Sequence, residues 1–234
     1  MIIDFVSAIN LLKSGEIVAL PTETVYGLAA IATNDEAVEK IYAAKGRPSF
    51  NPLIIHVHSI QQAMEYAEFS DIAIKIAEKF WPGPLTLVLK RKNSAISNLV
   101  TAGLETIAIR MPSHKIMLDI LKQLNIPLAA PSANKSERIS PTNYDHVIKS
   151  LGDHVPVVDG GASIFGLEST IIDVSSDVPK ILRLGFITQD IISEFLKIDV
   201  ALSSALDAIK APGMMKRHYS PLCKIRINAD SAGM

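Results

Sequence analysis

Cysteine is almost missing from this sequence: Cys223 stands alone among 234 residues. That excludes an intrachain disulfide and a zinc site built on paired thiols, and it fits a reducing compartment. Charge is sparse as well. Charged residues make up 20% of the chain and the formal net charge is −1, so there is no global basic field to gather nucleic acid. Any polyanion site must be a local patch. Aromatic residues amount to only 6%. No run approaches the roughly 18 apolar residues of a membrane span. Asp4 and Asn10 interrupt the first segment too early for a signal peptide, so the expectation is a soluble, cytoplasmic protein without membrane partners. Several motifs are missing too. There is no G-x-x-x-x-G-K-[ST], no G-x-G-x-x-G after a strand, no H-E-x-x-H and no G-x-S-x-G elbow.

What is present is a compact, apolar chain, 48% hydrophobic, of a length for a large single domain or one domain with an appendage. Helical spacing runs from Asp4 to Lys13, and Thr33 with Glu36 reads as a capping box opening a helix that ends at Lys45. Ser59 and Gln62 open a helix to about Phe69, and further helices are predicted at Asp71–Phe80, Ser113–Leu124, Tyr144–Leu151 and Thr188–Leu196. Strands are predicted at 17–20, 53–58, 85–90, 106–111, 126–130, 155–158, 169–174 and 180–184, with Thr106, Ala108 and Arg110 on one face of theirs. Arg91 and Lys92 read as a solvated hairpin tip. This interleaving predicts an α/β fold with a mixed sheet.

The stretch from Lys45 to His58, KGRPSFNPLIIHVH, organises the chain. Lys45 and Arg47 flank Gly46 where a helix stops, and Pro48 and Pro52 hold a loop open around Asn51. Lys45 alone could simply complement the helix end above a Gly46 C-cap, but capping does not account for Arg47, Asn51 and His56. Two apolar strands run into Pro21-Thr22-Glu23-Thr24 and Pro131-Ser132-Ala133-Asn134, and proline ends pairing at both. Gly166-Leu167-Glu168-Ser169-Thr170 leads into another strand. Each is an ordinary turn composition by itself. Together with Arg110 they describe a polar anion pocket at strand ends. Such a pocket, cationic and hydroxyl-rich with Glu23 and Glu168 as its nearby carboxylates, suits phosphate alignment better than acid–base hydrolysis.

These residues also carry a resemblance. ALPTETVYGL from Ala19, KGRP…NPL from Lys45, WPGPLT from Trp81, Arg110-Met111-Pro112, Pro131-Ser132-Ala133-Asn134, GLEST from Gly166 and LRLG from Leu182 resemble the YrdC-type domain of the L-threonylcarbamoyladenylate synthase family over about residues 5 to 196. The tail APGMMKRHYSP from Ala211 resembles the linker of its two-domain branch. The resemblance implies a twisted mixed sheet with flanking helices and a large, concave, positively charged face. It implies residues 1–200 as the catalytic domain and 201–234 as a linker or lid and the start of a second domain that is mostly lacking. It implies an enzyme joining L-threonine, bicarbonate and ATP into threonylcarbamoyl-AMP with release of pyrophosphate, for modification of tRNA beside the anticodon by a separate transferase complex.

Carried over residue by residue, the family's ATP contacts fall on Arg47, Asn51, Thr106, Ser132, Ser140 and Arg183. Lys45 lies beside the phosphates, and His218 and Tyr219 are lid contacts. Threonine contacts fall on Thr24, His56, Arg110, the backbone at Ala130, and Ser169. Lys45, Arg47, Ser132 and Asn134 are the catalytic candidates. Mg²⁺ is expected to arrive with ATP rather than on protein ligands. His56 is either a general base for the threonine ammonium or a neutral binding group. A non-catalytic module binding tRNA or rRNA remains the alternative, weakened by the few arginines. A carbamoyl-transfer domain is the third reading, though the zinc-finger cysteines of those relatives are missing.

Overall fold

The structure is a computed structural model describing residues 1–92, 95–204 and 210–213. Among these, eleven strands form one twisted mixed sheet. At one edge lie β1 (Ile2–Ile3), β8 (Val157–Val158) and β2 (Val18–Leu20), mutually parallel. Next come β3 (Gly27–Ile31), β7 (Leu128–Ala129) and β4 (Ile54–His56), each antiparallel to its predecessor. Then follow β6 (Thr106–Arg110), parallel to β4, and β5 (Leu85–Lys90), antiparallel to β6. β9 (Thr170–Asp173) runs parallel to β5, β10 (Lys180–Arg183) antiparallel to β9, and β11 (Ala201–Leu202) closes the order. The sheet therefore continues to Leu202.

Helices cover one side of the sheet between its edge strands. Ile41 and Val38 of α2 (Asp35–Lys45), Ile76 of α4 (Asp71–Phe80), Val147 of α7 (Tyr144–Leu151) and Ile192 of α8 (Gln189–Leu196) share a core with Leu28, Ile55, Leu87, Ile109 and Ile172. The other side divides in two. Over β8, β2, β3 and β7, helices α1 (Phe5–Lys13) and α6 (Lys115–Leu124) bury Leu12, Met117, Ile120 and Leu121 against Val18, Leu20, Ile31 and Leu128. Over β4, β6, β5, β9 and β10 the same side holds a thin apolar strip of Ile54, Ala108, Val88, Ile171 and Leu182, with Ala211 upon it. No helix among the described residues contributes to that strip.

Register fixes what else faces that open half. His56 pairs with Leu128 on one side and Arg110 on the other, Arg110 with Thr86, and Thr86 with Ile171. Paired residues point the same way and successive ones alternate. Leu128 faces the α1/α6 layer, so His56, Arg110 and Thr86 continue the same row into the open half.

Several local expectations shift by a residue or more. Asn34, not Thr33, caps α2, accepting from the Ala37 amide. Helix α3 (Ile60–Tyr66) stops at Tyr66, capped as predicted by Ser59. Arg91 sits on no hairpin tip: its Nη1 donates to Asn98 and Thr101 of α5 (Asn98–Thr101) inside a long β5–β6 connection. Strand β3 was unanticipated. All five of its residues are buried, so it lacks the alternation that marks a half-buried strand.

Candidate active site

The open half-face is bounded by two polar ends. At one end Gly46, left-handed at φ 61°, terminates α2 and turns the chain into the Arg47–Pro52 loop. Arg47 donates from Nε to the Asn51 carbonyl (3.2 Å) and from Nη2 to the Pro52 carbonyl (2.8 Å). Burial pushes its guanidinium down to about 10, with the nearby Arg183 charge acting in the same direction. Asn51 is buried beneath it. Thr106, at the start of β6, shares the face of Ala108 and Arg110, and its buried Oγ1 lacks a hydrogen-bond partner.

Lys45, 3% exposed, turns its ammonium into the protein. Nζ donates to the carbonyls of Ser132 (2.5 Å) and Asn134 (2.6 Å). Burial, followed by the Arg47 charge, holds it well below the usual lysine range, while Glu168 opposes the shift. The turn it grips is otherwise held by Asn134, whose Nδ2 donates to the carbonyls of Lys135 (3.0 Å) and Arg138 (2.8 Å). Ser132 itself is only partly buried. Two of the ammonium's three donors are thus committed to backbone.

At the other end Arg110 is a hub. It is 4% exposed and donates from Nε to the Gly83 carbonyl (3.2 Å), from Nη1 to Thr24 Oγ1 (2.8 Å) and from Nη2 to Glu23 Oε1 (2.5 Å). A guanidinium carries five N–H donors, so two remain. Thr24 is further tied to Thr22 Oγ1 at 2.8 Å. Beside Arg110, His56 is buried with Nδ1 unpartnered. Burial, reinforced by the Arg110 charge, depresses its imidazole from 6.5 to about 3. The ring is therefore neutral at physiological pH. The Ala130 amide donates to the Ile54 carbonyl (3.1 Å), which spaces the Pro131 turn from β4.

Ser169 links this end to β10. Its Oγ shares a 2.7 Å hydrogen bond with Thr86 Oγ1, and Arg183 donates to its carbonyl from Nε (3.1 Å) and Nη2 (3.0 Å). The close approach depends on Gly185, where a Cβ would stand 2.3 Å from the Glu168 carbonyl. Arg183 Nη1 also donates to the Pro212 carbonyl at 3.3 Å. Ser140 donates to Glu168 Oε1.

Arg47, Arg110, Ser132 and Arg183, from distant parts of the chain, thus border one half-face instead of separate surfaces. Asn51 and Thr106 lie toward Arg47, Lys45 and Asn134 hold the Ser132 turn, Ser140 meets Glu168 beside Ser169, and Thr24, His56, Ala130 and Ser169 lie toward Arg110. His218 and Tyr219 lie outside the described residues. Glu23 and Thr86 carry no assigned role in the sequence reading, although both belong to motifs that it singled out. Alternation in β5 alone places Thr86 on one face, but only its pairing with Arg110 says which. Among the described residues no group of three or more His, Cys, Asp or Glu could hold a metal ion.

The family profile for Sua5, YciO and YrdC proteins, described as "Telomere recombination", matches residues 10–185. The chain belongs to this family. It is 45% identical over 225 residues to the threonylcarbamoyl-AMP synthase of Bacillus subtilis, covering 94% of this chain and 65% of that protein. It is 42% identical to the threonylcarbamoyl-AMP synthase of Pyrococcus abyssi, covering 93% and 66%. The crystal structure of P. abyssi Sua5 complexed with L-threonine superposes with a TM-score of 0.89 at 41% identity, over 93% of this chain and 65% of that one. The chain therefore spans just under two thirds of the length of these relatives. Their mixed α/β architecture is the one described above, and no helix among the described residues is long and apolar enough to cross a membrane.

Proposed function

We propose that this Sua5/YciO/YrdC chain is an L-threonylcarbamoyladenylate synthase, forming threonylcarbamoyl-AMP and pyrophosphate from L-threonine, bicarbonate and ATP. The observation that carries the reading is Arg110. It is buried, fixed on three donors, and keeps two N–H groups for a carboxylate at the open half-face. Relatives of 45% and 42% identity bear the name of that activity, and one was crystallised with L-threonine.

In this reading the threonine carboxylate is held by Arg110, with Thr24 and Ser169 beside it and the Ala130 backbone closing the pocket. His56 hydrogen-bonds the substrate. A ring held at about 3 is too weak a base to take a proton from an ammonium at neutral pH, so the binding role is preferred over the general base. The threonine ammonium gives up one proton to solvent, and the free amine condenses with bicarbonate to a carbamate and water. A carbamate oxygen attacks the α-phosphorus in line, and pyrophosphate leaves. Arg47, Asn51, Thr106, Ser132, Ser140 and Arg183 hold ATP. Lys45 fixes the Ser132–Asn134 turn and has one donor left for phosphate, and Asn134 completes that turn. Positioning and charge neutralisation are what phosphoryl chemistry demands of a protein. Mg²⁺ carried by ATP would be held by phosphate oxygens and water, as that ion prefers.

Residues 1–200 form the catalytic domain in this proposal. Residues 201–234 act as a linker that closes over ATP, with His218 and Tyr219 on the nucleotide side. The product passes to a cytoplasmic transferase complex acting on tRNA. The test is pyrophosphate release from the purified chain with threonine, bicarbonate and ATP. Release that requires all three supports the proposal. No release, or release with carbamoyl phosphate replacing threonine, overturns it, and RNA binding without release would favour the escort role.

A further inference from the structure

One buried group at the site has a function still to be found. Glu23 is 1% exposed, more deeply buried than any other Asp or Glu among the described residues. Its Oε1 accepts from Arg110 Nη2, and its Oε2 has no hydrogen-bond partner. A buried carboxylate oxygen with nothing donating to it is costly, because desolvation of the charge is then only half offset. Retaining the charge asks for a donor that arrives from outside. The neighbouring groups do not supply one. Thr24 Oγ1 is engaged by Arg110 and by Thr22, and Thr22 Oγ1 donates to the Val25 carbonyl at 2.6 Å. His114 feels the Glu23 charge, yet its own buried Nδ1 is also without a partner.

The unused valences at this point have opposite signs. Arg110 keeps two N–H donors, and Glu23, bonded to it, keeps a whole carboxylate oxygen. A single charged group cannot satisfy both. A zwitterion can, with its carboxylate on the guanidinium and its ammonium on the carboxylate. The pocket and its occupant would then each be neutral, so entry transfers no net charge into the buried site.

We propose that Glu23 Oε2 receives the α-ammonium of the amino-acid substrate, so that Glu23 and Arg110 together select a free α-amino acid. This rests on the threonine reading of the same site and adds to it the residue that recognises the amine. An α-hydroxy acid of the same shape fits Arg110 and can give Glu23 a neutral O–H donor, but brings no positive charge to it. A peptide or amino-acid amide, having no free carboxylate on the carbon that bears its free amine, fails on the other half.

The experiment compares calorimetric binding of L-threonine with that of 2,3-dihydroxybutyrate, which keeps the carboxylate and β-hydroxyl and replaces the amine with a hydroxyl. Both are measured on the wild-type chain, Glu23→Gln and Glu23→Asp. Gln keeps an oxygen for Arg110 Nη2 and turns the other position into a donor. The wild type is expected to favour threonine. Glu23→Gln should lose at least about tenfold in threonine affinity, the scale of one charge-assisted hydrogen bond, and hold the hydroxy acid unchanged. Glu23→Asp should keep the preference for threonine. A melting curve and ATP affinity show that each variant is folded. Threonine affinity within twofold of wild type in Glu23→Gln overturns the proposal, as does an equal loss of both ligands, which would make Glu23 a prop for Arg110 alone. A wild-type chain that binds ATP but neither small acid overturns the threonine reading itself.

Discussion

Where β8, β2, β3 and β7 run, one side of the sheet is sealed by α1 and α6; where β4, β6, β5, β9 and β10 run, the same side is left to a thin strip of apolar residues. The border falls between two paired residues, Leu128 and His56. On the sealed side the row ends in aliphatic groups that a helix can cover at no polar cost. On the open side it continues through His56, Arg110 and Thr86. These side chains are already buried, under loops that supply polar partners: Gly83, Thr24 and Glu23 for Arg110 and Ser169 for Thr86. The apolar face of a helix would offer none, at a cost far above its apolar contacts. Side-chain chemistry along one hydrogen-bonded row thus decides where the sheet is core and where it is binding surface.

The sharpest way to break this contrast is to remove the charge at its centre. Arg110→Met leaves the Glu23 carboxylate buried and uncompensated, so stability should fall by about 3–5 kcal/mol in urea denaturation. Replacing both partners, Glu23→Leu with Arg110→Met, should recover most of it, since an apolar pair carries no desolvation penalty. If the double variant is no better than the single, Arg110 supports the fold through Gly83 and Thr24 rather than through the ion pair.

The sealed half is tested by Leu121→Ala in α6. That side chain is fully buried, and its truncation should cost about 2–5 kcal/mol while threonine and ATP affinities stay within twofold of wild type. An affinity loss comparable to that of a site variant would mean that the halves are not independent.

The halves were also unequally legible in the sequence. Helices of the covering layers announce themselves by period and cap. In the sealed half α1, predicted from Asp4 to Lys13, spans Phe5–Lys13 with Asp4 accepting from the Ser7 amide, and α6, predicted from Ser113 to Leu124, spans Lys115–Leu124. Arg110 was legible as a face, because β6 alternates. Its partner was not, since Glu23 lies 87 positions away and only the folding of the Thr22–Thr24 turn against the end of β6 joins them. Lys45 shows the same limit. Sequence gives its place at a helix end, whereas the Ser132 and Asn134 carbonyls that absorb its ammonium come from 87 and 89 positions away.

Acid should separate the halves more gently. His56 is held at about 3 when folded, against 6.5 for an ordinary histidine. The unfolded chain therefore binds a proton that the folded chain refuses across that window. Stability contributed by the neutral ring is present above about 6.5 and is lost as pH falls toward 3. Melting temperature measured between pH 7 and 4 should fall less steeply in His56→Asn than in the wild type. Parallel curves would mean that other groups carry the acid response.

The smallest effect concerns what lies on the open half. Ala211 is fully buried on Ile54, Val88, Ala108, Ile171 and Leu182, and the Pro212 carbonyl accepts from Arg183 at 3.3 Å. The Lys210 ammonium meets the buried Asp173 carboxylate at 2.8 Å, a pair that stays in place when the residues after Lys210 are removed. One methyl group on an apolar strip and one long hydrogen bond amount to about 2 kcal/mol at most. Replacing the contacts of Ala211 and Pro212 alone should therefore raise the KM for ATP by no more than about thirtyfold. Deleting residues 211–234, which also removes the proposed ATP contacts His218 and Tyr219, should raise it at least as much. Among the described residues, the hydrogen bonds of Arg110 and Glu23 go to Gly83, Thr24 and each other and none to Ala211, Pro212 or Gly213, so threonine affinity should hold. An unchanged KM for ATP would mean that the segment rests on the strip without closing it. A loss of threonine affinity would mean that the two ends of the half-face share one cover.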